Sequence, residues 1–168
     1  MIGISASGRT PYVVGATEYA RSRGARTAAI TCNPNSDLSQ VADITICTEV
    51  GAEVISGSTR MKASTAQKMV LNMITTGAMT RLGYVYDNLM VNVHMKNAKL
   101  VERGIRVLMK VCDIDRDTAI RTIKSAGKSI PIAVVMLKAN VDKMEAVRRL
   151  QKSDGNVRLA IDDSRLEL

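Results

Sequence analysis

MIGISASGRTPYVVG, residues 1–15, passes from a short apolar run through a turn crowded with hydroxyls into a segment of helical character. Residues 1–5 (MIGIS) are expected to form a strand. Thr10 is expected to cap a helix whose Pro11 suits the first helical position, since the missing proline N–H would have no partner there anyway. The helix continues through YVVGATEYARSR and stops at Gly24, a residue that takes the left-handed conformation without strain. Working outward, residues 27–31 (TAAIT) predict a second strand, Asn33-Pro34-Asn35 a turn and residues 44–47 (ITIC) a third strand. Strand, helix and strand at this spacing make a parallel βαβ unit with right-handed connections, so the first part of the chain is α/β.

A strand that ends in Ser-Ala-Ser-Gly-Arg-Thr and feeds a helix aims backbone N–H groups, hydroxyls and the positive end of a helix dipole at one point. Such a point suits an anion. Gly8 would let the backbone approach the anion closely, while Ser5, Ser7 and Thr10 add neutral donors that select by geometry. In an open α/β sheet, ligands sit beyond the carboxyl ends of the strands, where this turn lies. On these residues alone the stretch is either an anion cradle or a well-capped helix in a hydroxyl-rich turn.

From about Arg60 the pattern is helical throughout. Residues 64–82 carry Met69, Val70, Met73, Ile74 and Ala78, a three-four stripe expected to face a core, so the methionines there read as packing. Farther on, Ala119, Ile120, Arg121 and Ile123 recur as Ala146, Val147, Arg148 and Leu150. Ile130, Ile132, Ala133 and Val134 recur in the same way as Val157, Leu159, Ala160 and Ile161. The constant offset predicts two similar helical hairpins packed as a small bundle. The second, EAVRRLQKSDGNVRLAID (residues 145–162), resembles a ubiquitin-associated (UBA) type of helical unit and is read as a structural module without a ubiquitin role.

Several local motifs carry no chemistry. AGKS at residues 126–129 has the tail of a phosphate-binding P-loop, but Thr122 stands where the first glycine is required. DIDRD at 113–117 begins like a calcium loop, yet Thr118 and Lys124 occupy its glycine and glutamate positions, and the acids fit a helix start better. His94 is the only histidine, which leaves histidine triads and multi-histidine metal sites without support. Three cysteines without C-x-x-C spacing make neither a disulfide framework nor a zinc site and favour a reducing cytoplasm. Net charge is +8, all of it beyond residue 60, but there is no Phe or Trp and only four Tyr, too few to stack single-stranded bases. The cations of residues 138–158 alternate with Asp142, Glu145 and Asp154, the mark of a solvated helical surface. Nucleic-acid binding is therefore not expected, and no membrane span is visible.

A second cluster lies at residues 50–68, VGAEVISGSTRMKASTAQK, after the third strand and at the same end of the sheet. Together with GISASGRTPYVVGATEYARSRGARTAAITCNPNS and NLMVNV at 88–93, it closely resembles the sugar isomerase (SIS) domain of the N-acetylmuramic acid 6-phosphate etherases. The glucokinase regulatory protein is similar at a greater distance. Ser64 departs from the family pattern, which carries glycine there.

The resemblance implies a partial SIS-type, flavodoxin-like parallel sheet over residues 1–95 and an all-helical region with the UBA-like unit over 96–168. It implies a lyase of peptidoglycan recycling that removes the D-lactyl ether from N-acetylmuramic acid 6-phosphate, without metal or cofactor. Products are N-acetylglucosamine 6-phosphate and D-lactate. Ser5, Ser7, Gly8 and Thr10 would hold the phosphate, and Glu53, Ser58 and Thr59 would face the amino sugar. The family's catalytic glutamates lie in a preceding half with no counterpart here, so the chain is expected to be a carboxy-terminal portion with little or no activity of its own. A non-catalytic sugar-phosphate-binding regulatory module is the alternative. A cytoplasmic homodimer, paired across residues 64–82, is expected by the same resemblance.

Overall fold

A computed structural model describes residues 1–162, which fall into two compact units divided between Thr75 and Thr76. In the first, β1 (Ile2–Ile4), α1 (Pro11–Ser22), β2 (Ala28–Thr31), α2 (Asp37–Val41) and β3 (Ile44–Cys47) precede the long helix α3 (Lys62–Arg81). The three strands are parallel in the order β1-β2-β3, with Ile2 beside Ala28 and Ala28 beside Ile44. Central position buries β2 on both faces, and Ala29, Ile30 and Thr31 have no exposure at all. Because the strands run the same way, the turns after β1, β2 and β3 all leave from one end of the sheet.

Close helix–sheet packing demands a glycine in β1. A Cβ on Gly3 would stand 2.7 Å from Thr17 Oγ1 of α1 and 3.0 Å from Leu38 Cδ1 of α2. At the opposite end of the sheet the Asp43 carboxylate accepts from Thr27 N (2.9 Å) and Thr27 Oγ1 (2.8 Å) and pairs with Arg21 Nε at 3.0 Å. The two Thr27 hydrogen bonds are the main reason its carboxyl titrates below the usual range.

One expectation is extended here and one is corrected. The turn at Asn33-Pro34-Asn35 continues into α2, which Ser36 starts by accepting from Ser39 N; five residues are too few to show a helical period. The apolar stripe of α3 is only partly covered by the described residues. Ala63 alone is buried, Val70 and Ile74 are half-buried, and Met69 and Met73 are 53% and 63% exposed.

The second unit opens with a hairpin, β4 (Val85–Tyr86) and β5 (Leu89–Met90), antiparallel with Val85 opposite Met90. The chain is therefore not helical throughout beyond Arg60. Tyr86-Asp87-Asn88-Leu89 makes a tight turn with Asp87 at φ 52°, which Asx residues tolerate, and the flanking Val and Tyr favour strand. Arg158 closes over the hairpin, donating to Asp87 Oδ1 at 2.9 Å and lying 5.1 Å from the Tyr86 ring centre. Five helices follow: α4 (Ala98–Cys112), α5 (Arg116–Ser125), α6 (Ile130–Lys138), α7 (Lys143–Lys152) and α8 (Val157–Ile161).

The sequence repeat is a structural duplication with a 27-residue offset. Asp115 and Asp142 cap α5 and α7 by accepting from the N–H three residues on, and Ser129 and Asn156 cap α6 and α8. Left-handed residues recur in register as well: Asp113 with Asn140, Gly127 with Asp154, Lys128 with Gly155. Ala119, Ile123, Ile130 and Ala133 are buried, as are their counterparts Ala146, Leu150, Val157 and Ala160. The duplication also reaches farther back than the quoted repeat, for Ile105 to Cys112 of α4 aligns with Ile132 to Ala139. Accordingly α4 packs on α5 and α6 as α6 packs on α7 and α8. Glu102 ties α4 to α5 through two hydrogen bonds from Arg116, which with Arg106 hold its carboxyl down to about 2.

Candidate functional site

The hydroxyl turn is anchored from below by the centre of the sheet. Ser5 N donates to Ile30 O at 3.1 Å, Cys32 N to Ala6 O at 2.9 Å, and Leu38 N to Gly8 O at 3.0 Å, so β2 and α2 both hold it in place. Thr31 Oγ1, fully buried, adds a bond to Ala6 O at 3.3 Å. Inside the turn, Gly8 N donates to Ser5 O and to Ser5 Oγ, each at 3.1 Å, and Arg9 N donates to Ser7 Oγ at 3.3 Å.

Thr10 occupies the expected N-cap position, but its hydroxyl does not cap α1. It bonds instead to Ser5 Oγ at 3.0 Å, which corrects the sequence expectation. Around the start of α1, Val13 N and Val14 N donate to Thr10 O, whereas the N–H groups of Ser7, Thr10 and Tyr12 find no acceptor among the described residues. Ser7 and Thr10 are exposed, so these donors open to solvent around the positive end of the helix.

Gly8 has φ +68°, and a Cβ there would lie 2.2 Å from both Cβ and Oγ of Ser36. Ser36 is thus the floor of the turn, buried completely. Residue-by-residue reading missed Ser36 and Thr31. A serine before Asp37-Leu38 is an N-cap signal that would have found the first; the buried Thr31 carries no local signal, because only tertiary packing brings it under Ala6.

Glu53, expected to face the amino sugar, has its carboxylate at the start of α3. Its carboxylate accepts from Lys62 N and Ala63 N, both at 3.1 Å, and so caps α3 from nine and ten residues upstream. Those two bonds, Ala63 first, lower its pKa. Ser58 and Thr59 lie in the loop between this carboxylate and the helix, where Ser58 N donates to Ile55 O at 3.0 Å. Ser64 Oγ, at the position that departs from the family pattern, bonds back to Arg60 O. No hydrogen bond among the described residues joins this loop to the Ser5–Thr10 turn, although both leave the same end of the sheet.

A pH dependence follows for the start of α3. Since the folded Glu53 pKa lies below the ordinary 4.5, its capping contribution is present above about pH 4.5 and is lost as pH falls through the folded value. Protection factors of the Lys62 and Ala63 amides, taken relative to the intrinsic exchange rate at each pH, should drop over that fall in the native chain. In Glu53→Gln the protection should be low already at neutral pH and change little with acidification.

The described residues contain no group of three His, Cys, Asp or Glu side chains placed to hold a metal, and no helix long and apolar enough to cross a membrane.

Residues 1–77, which carry this parallel sheet and the turn ahead of α1, match a family model described as SIS domain. That gives the class of the first unit. Likeness then extends into the helical unit. The chain is 49% identical to the N-acetylmuramic acid 6-phosphate etherase of Klebsiella aerogenes over 98% of its own length and 55% of that protein's. The corresponding figures are 50%, 96% and 53% for N-acetylmuramic acid 6-phosphate etherase 1 of Bacillus licheniformis, and 52%, 92% and 52% for the etherase of Aeromonas hydrophila. The chain is a homologue of the N-acetylmuramic acid 6-phosphate etherases, as its motifs led us to expect, and it spans about half the length of the curated relatives it matches.

Proposed function

We propose that the Ser5–Thr10 turn binds the phosphate of a phosphorylated amino sugar, and that the chain contributes this site to an etherase-type lyase. The observation that carries the proposal is the set of unsatisfied N–H groups of Ser7, Thr10 and Tyr12 at the start of α1. An oxyanion of charge roughly −1.5 to −2 would accept from them while the hydroxyls of Ser5, Ser7 and Thr10 reorient toward it. The shared names of the relatives support N-acetylmuramic acid 6-phosphate as substrate, and D-lactate and N-acetylglucosamine 6-phosphate are the products that the family resemblance implies. Glu53, Ser58 and Thr59 are the candidates for facing the sugar.

Glu53 is a positioning residue in this scheme. Its carboxylate is engaged by α3 and its pKa is lowered, both of which make it a weak base. The chain alone is therefore a sugar-phosphate binder and a poor catalyst. The exposed Met69 and Met73 favour α3 as a homodimer surface, and cytoplasmic residence fits three free cysteines. The last two helices, α7 and α8, act as a structural UBA-like module.

Titration of the full chain with N-acetylglucosamine 6-phosphate, followed by amide NMR, tests the site. Saturable shifts at Ser7, Thr10 and Tyr12, absent with unphosphorylated N-acetylglucosamine, are expected. Shifts confined to other residues would refute the phosphate site, and D-lactate release at ordinary enzymic rates would refute the assignment of poor catalysis.

A further inference from the structure

The duplication in the helical unit produces two cavities of similar size, about 380 and 400 Å³, built from equivalent positions. Ile105, Ile120 and Ile123 wall the first; Ile132, Val147 and Leu150 wall the second. Both lie in the size range of small-molecule sites, and both are apolar inside.

Their rims have diverged. The first has Lys124 and Lys128 where the second has Gln151 and Gly155. Gly127, also on the first rim, is replaced by Asp154 on the second. A third ammonium group joins the first rim, for a Cβ on Gly127 would meet Lys143 Nζ at 3.3 Å. None of these three lysines has an ion-pair or hydrogen-bond partner among the described residues. Lys128 is moreover held at φ 62°, a left-handed conformation that its duplicate meets with glycine. A lysine kept in a strained conformation, with its charge unpaired at the mouth of an apolar cavity, marks a position where the side chain serves something other than the fold.

We propose that the first cavity binds an aliphatic carboxylate, its chain seated among Ile105, Ile120 and Ile123 and its carboxylate held by Lys124, Lys128 and Lys143. The apolar walls contribute burial of the alkyl chain, and the rim selects the sign of the head group. Ile120, 41% exposed, forms the open lip through which the ligand enters. The second cavity lacks the cations and is the internal control. This site is independent of the Ser5–Thr10 turn.

The full chain, labelled at isoleucine, leucine and valine methyl groups, is titrated with decanoate below its micelle concentration, and in parallel with acetate and with decyltrimethylammonium. Decanoate is expected to shift the Ile120 and Ile123 methyl signals saturably and to leave Val147 and Leu150 in place, while neither control saturates. The double variant K124E/K128E should bind decanoate about ten-fold more weakly, and Ile120→Glu, a change at a half-exposed position, should remove binding while the circular-dichroism spectrum stays unchanged. Equal binding of the ammonium amphiphile, equal shifts in both cavities, or unaltered decanoate affinity in K124E/K128E would each overturn the proposal.

Discussion

Gly8→Ala is expected to lower stability by about 2–4 kcal/mol, combining a left-handed alanine with overpacking of a site that has no slack. The new methyl would stand 2.2 Å from Cβ and Oγ of Ser36, and Ser36 cannot retreat because it is fully buried at the start of α2. Displacing the turn also breaks the Leu38 N to Gly8 O bond at 3.0 Å, so α2 and the donor set at α1 are disturbed together. Urea unfolding should show a lower midpoint, and the sugar-phosphate shifts proposed for Ser7, Thr10 and Tyr12 should vanish. Adding Ser36→Gly relieves the two shortest contacts, leaves Thr31 Oγ1 2.9 Å from the new methyl and removes the Ser36 cap of α2. The double variant G8A/S36G should therefore recover ligand binding before it recovers full stability. A G8A chain as stable as the parent would mean that the turn yields, against the packing described.

Leu108→Ala is the second large effect, expected at about 2–5 kcal/mol. Leu108 has no exposure and sits in the cluster where α4, α5 and α6 meet, so truncation leaves a cavity that rigid neighbours cannot fill. Val135, its duplicate in α6, is equally buried; Val135→Ala removes fewer atoms and should cost less. Calorimetry of the two variants checks the order. Neither substitution should alter the amide signals of residues 5–12, which belong to the other compact unit.

How much of this was legible beforehand differs between the units for physical reasons. Proline at a helix start, glycine at its end and short β-branched runs are local signals, and they located β1, α1, β2 and β3 to within a residue or two. The hairpin at Val85–Met90 was missed because two-residue strands have no periodicity to detect. Met69, Val70, Met73 and Ile74 have the spacing of a buried stripe, but spacing reports which face is apolar and not what covers it. At the site, the hydroxyl cluster was visible as composition, whereas the direction of the Thr10 and Glu53 bonds was not. Thr10 had a competing partner five residues back in Ser5, and Glu53 reached a helix start that its own loop leads to.

The matching caps at Asp115 and Asp142, and at Ser129 and Asn156, have an architectural consequence. Each begins a helix in the same way and hands the chain to the next with the same left-handed exit, so the helical unit can change size by whole modules without altering its ends. A chain lacking residues 115–141 would join the close of α4 directly to a cap of identical chemistry at Asp142. Growth or shrinkage in such steps would leave the Ser5–Thr10 turn untouched, since that turn belongs to the other compact unit.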